Sequence, residues 1–484
     1  MRWVGIIIGV ALISFGCNRM RVSYPSRTLN PLQFGLKEAR TDLDRYYVLQ
    51  RTHEEALKRG AEVSYSGIKQ INLEIPPKAK SLPLTHYTDF AGVVLKVKNT
   101  QKDLYLFSLS DQLTPVKISG KEIDEGDFSR NATLRSGRKL LVITDKTPWV
   151  DKRIGYDHGA TRKDIMLLED GKCDHGPIQS YSTPSSSPDG AFCEVTTTKK
   201  SIKDIHFQRL VGSTKKTFFV KVENQYNLEL SGIRITTPDN TGFYGDRAIN
   251  LINCLDVQME DVSINGTYSL TDHFGYGVSL DNIYDLCVNK MYARANWGVF
   301  GTNNVQKAIL SDCDINRFDV HCYGKDVSFE RCSFVDLYNQ FASVYGLILF
   351  DRCTFTNFTP VLMGSSYNAY TAYDILFDHC TFNLDKKHPC VIDFSGFCKI
   401  ENSRPELKEK CLPNVSMLDC QVKMADDTKT WCVYNTKKMK DYEGGFHYFS
   451  KVTIKGLSYD STKTEMAIFS KSINSINKVR IIEE

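Results

Sequence analysis

One arrangement of apolar and polar positions recurs down the second half of the chain: apolar, any, apolar, any, any, a small apolar residue or Cys, any, apolar. With Cys313 as anchor, Ala308 and Leu310 precede it and Ile315 follows. At Cys332 the set is Val327, Phe329 and Phe334; at Cys353 it is Ile348, Phe350 and Phe355; at Cys380 it is Ile375, Phe377 and Phe382. The template also fits Met291 (Leu286, Val288, Ala293), Val262 (Val257, Met259, Ile264) and Ile233 (Leu228, Leu230, Ile235). It extends forward to Cys420 (Val415, Met417, Val422) and more loosely to Leu457 (Val452, Ile454, Tyr459). From Ile233 to Cys380 the anchors lie 29, 29, 22, 19, 21 and 27 residues apart.

Period-two apolar runs are strands with one buried face. The additional residue before each anchor breaks the alternation, so the chain turns a corner there while keeping apolar groups inward. A repeat of roughly 20–30 residues built from short strands cannot bury itself alone and must stack on its neighbours. The pattern therefore predicts an all-β solenoid, a parallel β-helix whose coils lie about 4.8 Å apart with equivalent side chains in ladders. Cys313, Cys332, Cys353, Cys380 and Cys420 then share one interior ladder, as buried free thiols acting as small hydrophobes. Their spacing lacks the clustered tetrahedral set a zinc site needs.

The rest of the chain divides around that repeat. Residues 20–100 read as an N-terminal cap and first coils: Asp42 to Arg59 has helical periodicity (Tyr46, Leu49, His53, Ala56, Leu57), Gly60 stops it, and Val63 to Ile75 reads as strands. Residues 101–200 are β-rich with turn clusters and read as irregular coils carrying long loops. Residues 201–460 are the regular helix, with an insertion at 384–412 in which Cys398 and Cys411 are a candidate disulfide. Residues 461–484 are expected to cap the far end, because an open stack exposes a sheet edge.

With 484 residues, 42% hydrophobic and 24% charged, the chain can bury a large core and is too balanced to be disordered. A net charge of +4 is compatible with an acidic partner, and no basic stripe of a nucleic-acid binder is present. Residues 1–19 read as a secretory signal, with Arg2 followed by the apolar run from Val4 to Phe15. Ser14, Phe15, Gly16 and Cys17 resemble a bacterial lipobox, with Cys17 the lipidation site; Phe15 departs from the usual small residue. The expected location is periplasmic or cell-surface, tethered to the bacterial outer membrane by that lipid. Asn131, Asn265, Asn357 and Asn414 head glycosylation sequons, which matter only in a eukaryotic host.

A cap, irregular coils and then this repeat resemble the pectate-lyase-like superfamily of right-handed parallel β-helices. The resemblance covers most of the mature chain. In that superfamily one corner of each coil often carries an interior ladder of Asn or other small residues, and the resemblance places the Cys anchors there. It implies a carbohydrate-active protein, but the superfamily spans lyases, hydrolases, epimerases and phage tailspikes. The aspartate-rich signatures of polygalacturonases and the arginine-bearing signatures of pectate lyases are absent. With the lipobox, the chain looks most like secreted bacterial β-helix lipoproteins that degrade polysaccharides, some of them glycosaminoglycan lyases.

Superfamily members use the first sheet as the substrate groove, so the strand about a dozen residues before each anchor matters. Aligned on Ile249, Val278, Val299, Val320 and Val344 as inward residues, one outward column is Asn250, Ser279, Phe300, His321 and Tyr345. The next is Ala248, Gly277, Gly298, Asp319 and Ser343, and a third holds Asp246, Gly275, Asn296 and Arg317. The glycines would leave an open floor beside a polar strand of Arg317, Asp319, His321 and Tyr323. Elimination from a uronate polymer needs a group to neutralise the carboxylate, a base and an acid. Arg317 and Asn296 suit the first role, His321 the second, and Tyr323 or Tyr345 the third. His273 is a second candidate base. Trp297, Arg294, Arg247 and Asp246 are candidate substrate contacts, and Asp319 could equally be a plain ion-pair partner of Arg317.

The expected function is a polysaccharide lyase acting on a uronic-acid polymer such as a glycosaminoglycan or pectin. The alternatives are a glycoside hydrolase and a non-catalytic glycan-binding or adhesive β-helix. A hydrolase needs two carboxylates about 5–9.5 Å apart, and Asp246 with Asp319, the best pair, look too distant. Calcium is the one metal such lyases suggest, yet no tight carboxylate cluster appears on these columns. The expected partner is the polysaccharide, with a membrane reached only through Cys17, no nucleic acid, and a monomeric chain.

Overall fold

The computed structural model describes residues 28–150, 160–178, 180–237, 246–265, 275–294, 297–321, 323–341, 344–363, 372–393, 410–411, 413–425, 430–435, 446–447, 450–470 and 479–483. Its strands form one long parallel sheet system that winds as a right-handed parallel β-helix. Each regular coil contributes a strand to each of three faces. Phe318–Val320, Gly324–Glu330 and Ser333–Val335 make one such turn, and Tyr338–Phe341, Val344–Asp351 and Thr354–Thr356 make the next. The faces are called the first, second and third sheets in that order.

The anchors stack as the repeat predicts. Ile205, Ile233, Val262 and Met291 are register partners in succession. The amides of Ser333, Thr354, Thr381 and Gln421 then bond to the carbonyls of Cys313, Cys332, Cys353 and Cys380, one coil apart each time. These cysteines and Cys420 are buried free thiols. Two phenylalanine stacks flank them: Phe329, Phe350 and Phe377 with centroids 4.9 and 5.0 Å apart, and Phe334, Phe355 and Phe382 at 5.1 and 5.3 Å. Each such ring pair contributes about 0.5–1.5 kcal/mol beyond the area it buries.

The extra residue before each anchor is a left-handed corner. Asp204, Gly232, Asp261, Lys290, Asp312, Arg331, Arg352, His379, Asp419 and Gly456 all have φ between 50° and 65°. One αL residue redirects the strand without breaking the inward run. An asparagine ladder also exists, but not at the cysteines. Asn224, Asn253, Asn282 and Asn304, with φ between 52° and 62°, form it at the corner between the first and second sheets. Asn253 donates to Asn224 at 2.9 Å and Asn282 to Asn253 at 3.0 Å. The thiol ladder and the amide ladder are thus two separate corners, against the placement implied by resemblance.

The N-terminal end is covered by the helix Asp42–Arg59, called α1. Thr41 and Asp44 form a capping box at its start, and Gly60, at φ 60°, ends it in the left-handed region. Its buried face holds Tyr46, Leu49, His53 and Ala56, while Leu57 is exposed. His53 bonds to the Tyr65 hydroxyl at 2.7 Å, and burial pushes its imidazole down to about 3, so it sits in the cap as a neutral ring.

Residues 101–200 depart from the sequence expectation. Leu104–Ser110 is a coil strand, but most of the chain between it and residue 200 belongs to a separate antiparallel sheet of Thr114–Val116, Pro188–Glu194, Arg138–Val150 and Ala160–Glu169. Lys200–Arg209 then resumes the helix by pairing with Tyr87–Lys98. Strand alternation looks the same in either sheet type, so the sequence pattern could not separate them. One face of the inserted sheet has its own core, including Ile123, Phe128, Leu141, Ile143 and Met166. The other, through Leu140, Ile165, Cys193 and Val195, covers an apolar stripe of Tyr226, Leu255 and Tyr284 on the second sheet.

The far end also differs. Glu465–Phe469 and Val479–Glu483 pair in parallel with Thr430–Asn435 and Ser450–Lys455, so they prolong the sheets and do not form a separate cap. Within 384–412, Cys390–Asp393 is an ordinary first-sheet strand paired with Thr359–Met363. Cys398 and the side chain of Cys411 lie outside the described residues, as does Cys17.

Candidate functional site

The register of the first sheet corrects the columns read from sequence. Val278 pairs with Phe300, and Phe300 with Phe318, so Phe300 points inward and is fully buried. Asn250, Ser279, Gly301, Asp319 and Gln340 therefore form one column. The slip occurs because Gly298, Val299, Phe300 and Gly301 give no alternation to read. Gly298, part of the floor read from sequence, is not open, and neither is Gly301. A Cβ on Gly301 would lie 2.6–2.7 Å from the Tyr276 ring, and one on Gly298 would lie 2.9 Å from the Arg317 stem. Both glycines exist so that a larger side chain can lie across them.

Those two side chains build the site. The Tyr276 ring crosses Gly301 and brings its hydroxyl 2.9 Å from Asp319 Oδ2 and 2.9 Å from His321 Nε2. Trp297 Nε1 donates to the same hydroxyl at 3.0 Å. The phenol has one proton, and the carboxylate is the stronger acceptor. Assigning that proton to Asp319 makes His321 Nε2 an N–H donor to the hydroxyl oxygen. Asp319 Oδ1 accepts from Arg317 Nε at 2.5 Å, and Arg317 also donates to Gln340 Oε1 at 3.0 Å. The guanidinium carbon sits 4.2 Å from the Trp297 ring and 4.3 Å from the Tyr338 ring, a cation–π sandwich.

Burial and charge set the protonation states. Burial and the neighbouring Asp319 charge push the Tyr276 phenol well above its ordinary value, so it stays a donor. Burial pushes Asp319 up, but the Arg317 charge and its bonds to His321 and Arg317 outweigh this and hold the carboxyl below the usual range. Burial works against the Arg317 charge, and Asp319 more than restores it. The side chains of Arg317 and Asp319 are both 0% exposed, whereas His321 is 17% exposed. The result is a buried ion pair that fixes a phenol, which in turn fixes a histidine at the surface.

The structure thus brings together His321, Asp319, Arg317 and Trp297, and adds Tyr276, Gln340 and Tyr338, which sequence reasoning missed. Arg317 cannot meet a substrate carboxylate, because it is enclosed and paired. Tyr323 does not join the cluster. It is fully buried under the inserted sheet, where its hydroxyl bonds the backbone N–H and carbonyl of Lys163. Tyr345 pairs with Lys325 on the second sheet, away from the His321 column. Arg294 forms a bidentate pair with Asp314 at the flank, Nε to Oδ1 at 3.2 Å and Nη2 to Oδ2 at 2.9 Å. Arg247 is exposed and in register with Tyr276. Asn296, His273 and the side chain of Asp246 lie outside the described residues. Calcium does not fit this cluster: the carboxylate it offers among the described residues is Asp319, whose two oxygens already serve Arg317 and Tyr276.

The fold is a right-handed parallel β-helix with a polar cluster on its first sheet. No family model and no curated protein matches the sequence. Among solved structures, the tailspike protein gp49 from Pseudomonas phage LKA1 is similar, at 14% identity over 94% of this chain and 78% of that one, with a TM-score of 0.55. The tailspike gp61 of Pseudomonas phage phi297 matches at 12% identity over 91% and 82%, with a TM-score of 0.50. At such identities the likeness is one of fold.

Proposed function

We propose that the chain binds an acidic polysaccharide along the first sheet and cleaves it by β-elimination, with His321 as the proton-transfer group. The observation that carries this is the 2.9 Å contact between His321 Nε2 and the Tyr276 hydroxyl, backed by ionised Asp319. In this reading the imidazole takes the proton α to the uronate carboxylate, the C–H pair becomes the new C=C bond, and the C–O bond breaks toward the leaving sugar. The imidazolium, stabilised through Tyr276 by Asp319, then returns its proton to the leaving oxygen. Tyr276 and Asp319 are positioning residues. Hydrolysis is less well supported, since the cluster's carboxylate is fully enclosed and a hydrolase needs two that reach the bond.

The test is new ultraviolet absorbance from an unsaturated product when the protein meets chondroitin sulfate, heparin or polygalacturonate. His321→Ala is expected to remove the signal by about 10²–10⁴-fold. Tyr276→Phe keeps the ring on Gly301 but is expected to lower kcat and shift its pH profile, because the histidine loses its hydroxyl partner. Reducing ends without absorbance would establish hydrolysis instead, and binding without either signal would leave a glycan-binding β-helix.

A further inference from the structure

Toward the N-terminus from Tyr276, the first sheet changes character. Tyr105 pairs with Phe218 in register, and their rings lie 4.6 Å apart at 32°. Val220 pairs with Ile249, which sets Phe218 level with Arg247, and Arg247 pairs with Tyr276. Tyr105, Phe218, Arg247 and Tyr276 therefore climb the sheet one rung at a time, about 4.8 Å per step. Tyr105 and Phe218 are partly exposed and Arg247 is exposed. Burial raises the Tyr105 phenol, and Arg247 and Asn250 bond its hydroxyl from two rungs above, so ring and guanidinium are tied together.

A phenylalanine facing water from a polar strand leaves apolar surface open, and here that surface is a tilted ring pair beside a cation. Ring faces take the C–H face of a sugar, and a guanidinium takes a carboxylate or sulfate with two parallel bonds. A pyranose unit in an extended chain is about as long as one rung, ~4.8 Å, so a glycan lying along the axis sets successive sugars on successive rungs. We propose that Tyr105, Phe218 and Arg247 form a remote subsite for an anionic glycan, the rings stacking one sugar and Arg247 holding the acidic group of the next. This rests on reading the first sheet as the glycan track, and it extends the bound length by several sugars beyond His321.

The experiment measures binding, not cleavage. In a His321→Ala background, affinity electrophoresis is run in gels containing chondroitin sulfate, heparin or polygalacturonate. Phe218→Ala and Arg247→Gln are each expected to weaken binding to the retarding polymer about tenfold. Only Arg247→Gln should also flatten the salt dependence. Phe218→Leu, which keeps the bulk without the ring, should resemble Phe218→Ala if stacking is the cause, and Lys423→Gln, exposed on the third sheet, should change nothing. The subsite is overturned if both variants run like the parent in all three polymers, or if the parent is retarded by none. Loss of retardation by these variants in a protein that forms no unsaturated product would leave the subsite standing and remove the lyase reading.

Discussion

At Gly301 the absence of a side chain decides where Tyr276 lies, and Tyr276 decides where His321 points. The chemistry of the site is therefore written partly in a residue that has none. Asp319 works at the same scale, as the counter-charge of a guanidinium with no route to water. Asp319→Asn keeps the shape but strands Arg317, at an expected cost of about 3–5 kcal/mol. The sign with pH comes from the depressed carboxyl. Its stabilisation is full above the unfolded value of about 3.9 and is lost as pH falls through the lower folded value. Urea unfolding of the parent should weaken on acidification below about pH 4 by a component the variant lacks, and parallel pH curves for the two would refute the pairing.

At the scale of the strand and its corner, the anchors were readable because two signals coincide: period-two burial, and one residue too many before each Cys, Met, Val or Ile. That residue is the αL corner. Lys290, at φ 54°, should accept Gly with little change, whereas Lys290→Val should cost about 1–2 kcal/mol, because a β-branched side chain crowds the left-handed region. Equal melting temperatures for the two variants would show that this corner is not under that constraint. The first sheet was less readable. Between Gly298 and Gly301 inside and outside look alike, so the columns slipped there; separately, the chain around Tyr345 reads like a first-sheet strand, but Tyr338–Phe341 is that strand and Tyr345 stands on the second sheet. Tyr323 reads as part of the same outward strand as Asp319, but that strand ends at Val320, and past it Tyr323 faces the inserted sheet. That sheet gave no sign in the sequence of running antiparallel. Tyr276 was missed because its place depends on lying across a neighbouring coil.

Over the whole molecule, the inserted sheet braces the coils where its Ala160–Glu169 strand crosses them: Lys163 pairs with Asp281 at 2.7 Å, and Gln306 donates to Asp164 at 2.8 Å. Beyond that brace the stack relies on its interior ladders, which makes the thiols a probe of its integrity. Among the described thiols, peptide mapping after alkylation in native buffer should find Cys287, which is exposed, modified first. Cys313, Cys332, Cys353, Cys380 and Cys420, each 1–2% exposed, should react only as denaturant opens the coils. Early native-state labelling of one of these five would mean that its coil opens on its own.

The stacking has a consequence for how such a protein can change size. Because Cys313, Cys332 and Cys353 occupy equivalent places in successive turns, the chain between one and the next is a removable unit that starts and ends at the same point of the cross-section. Gain or loss of a complete turn shifts everything downstream by one storey and leaves the internal columns matched. The molecule's length, and with it how much polymer it can span, can thus vary in whole steps while the plan of each floor stays the same.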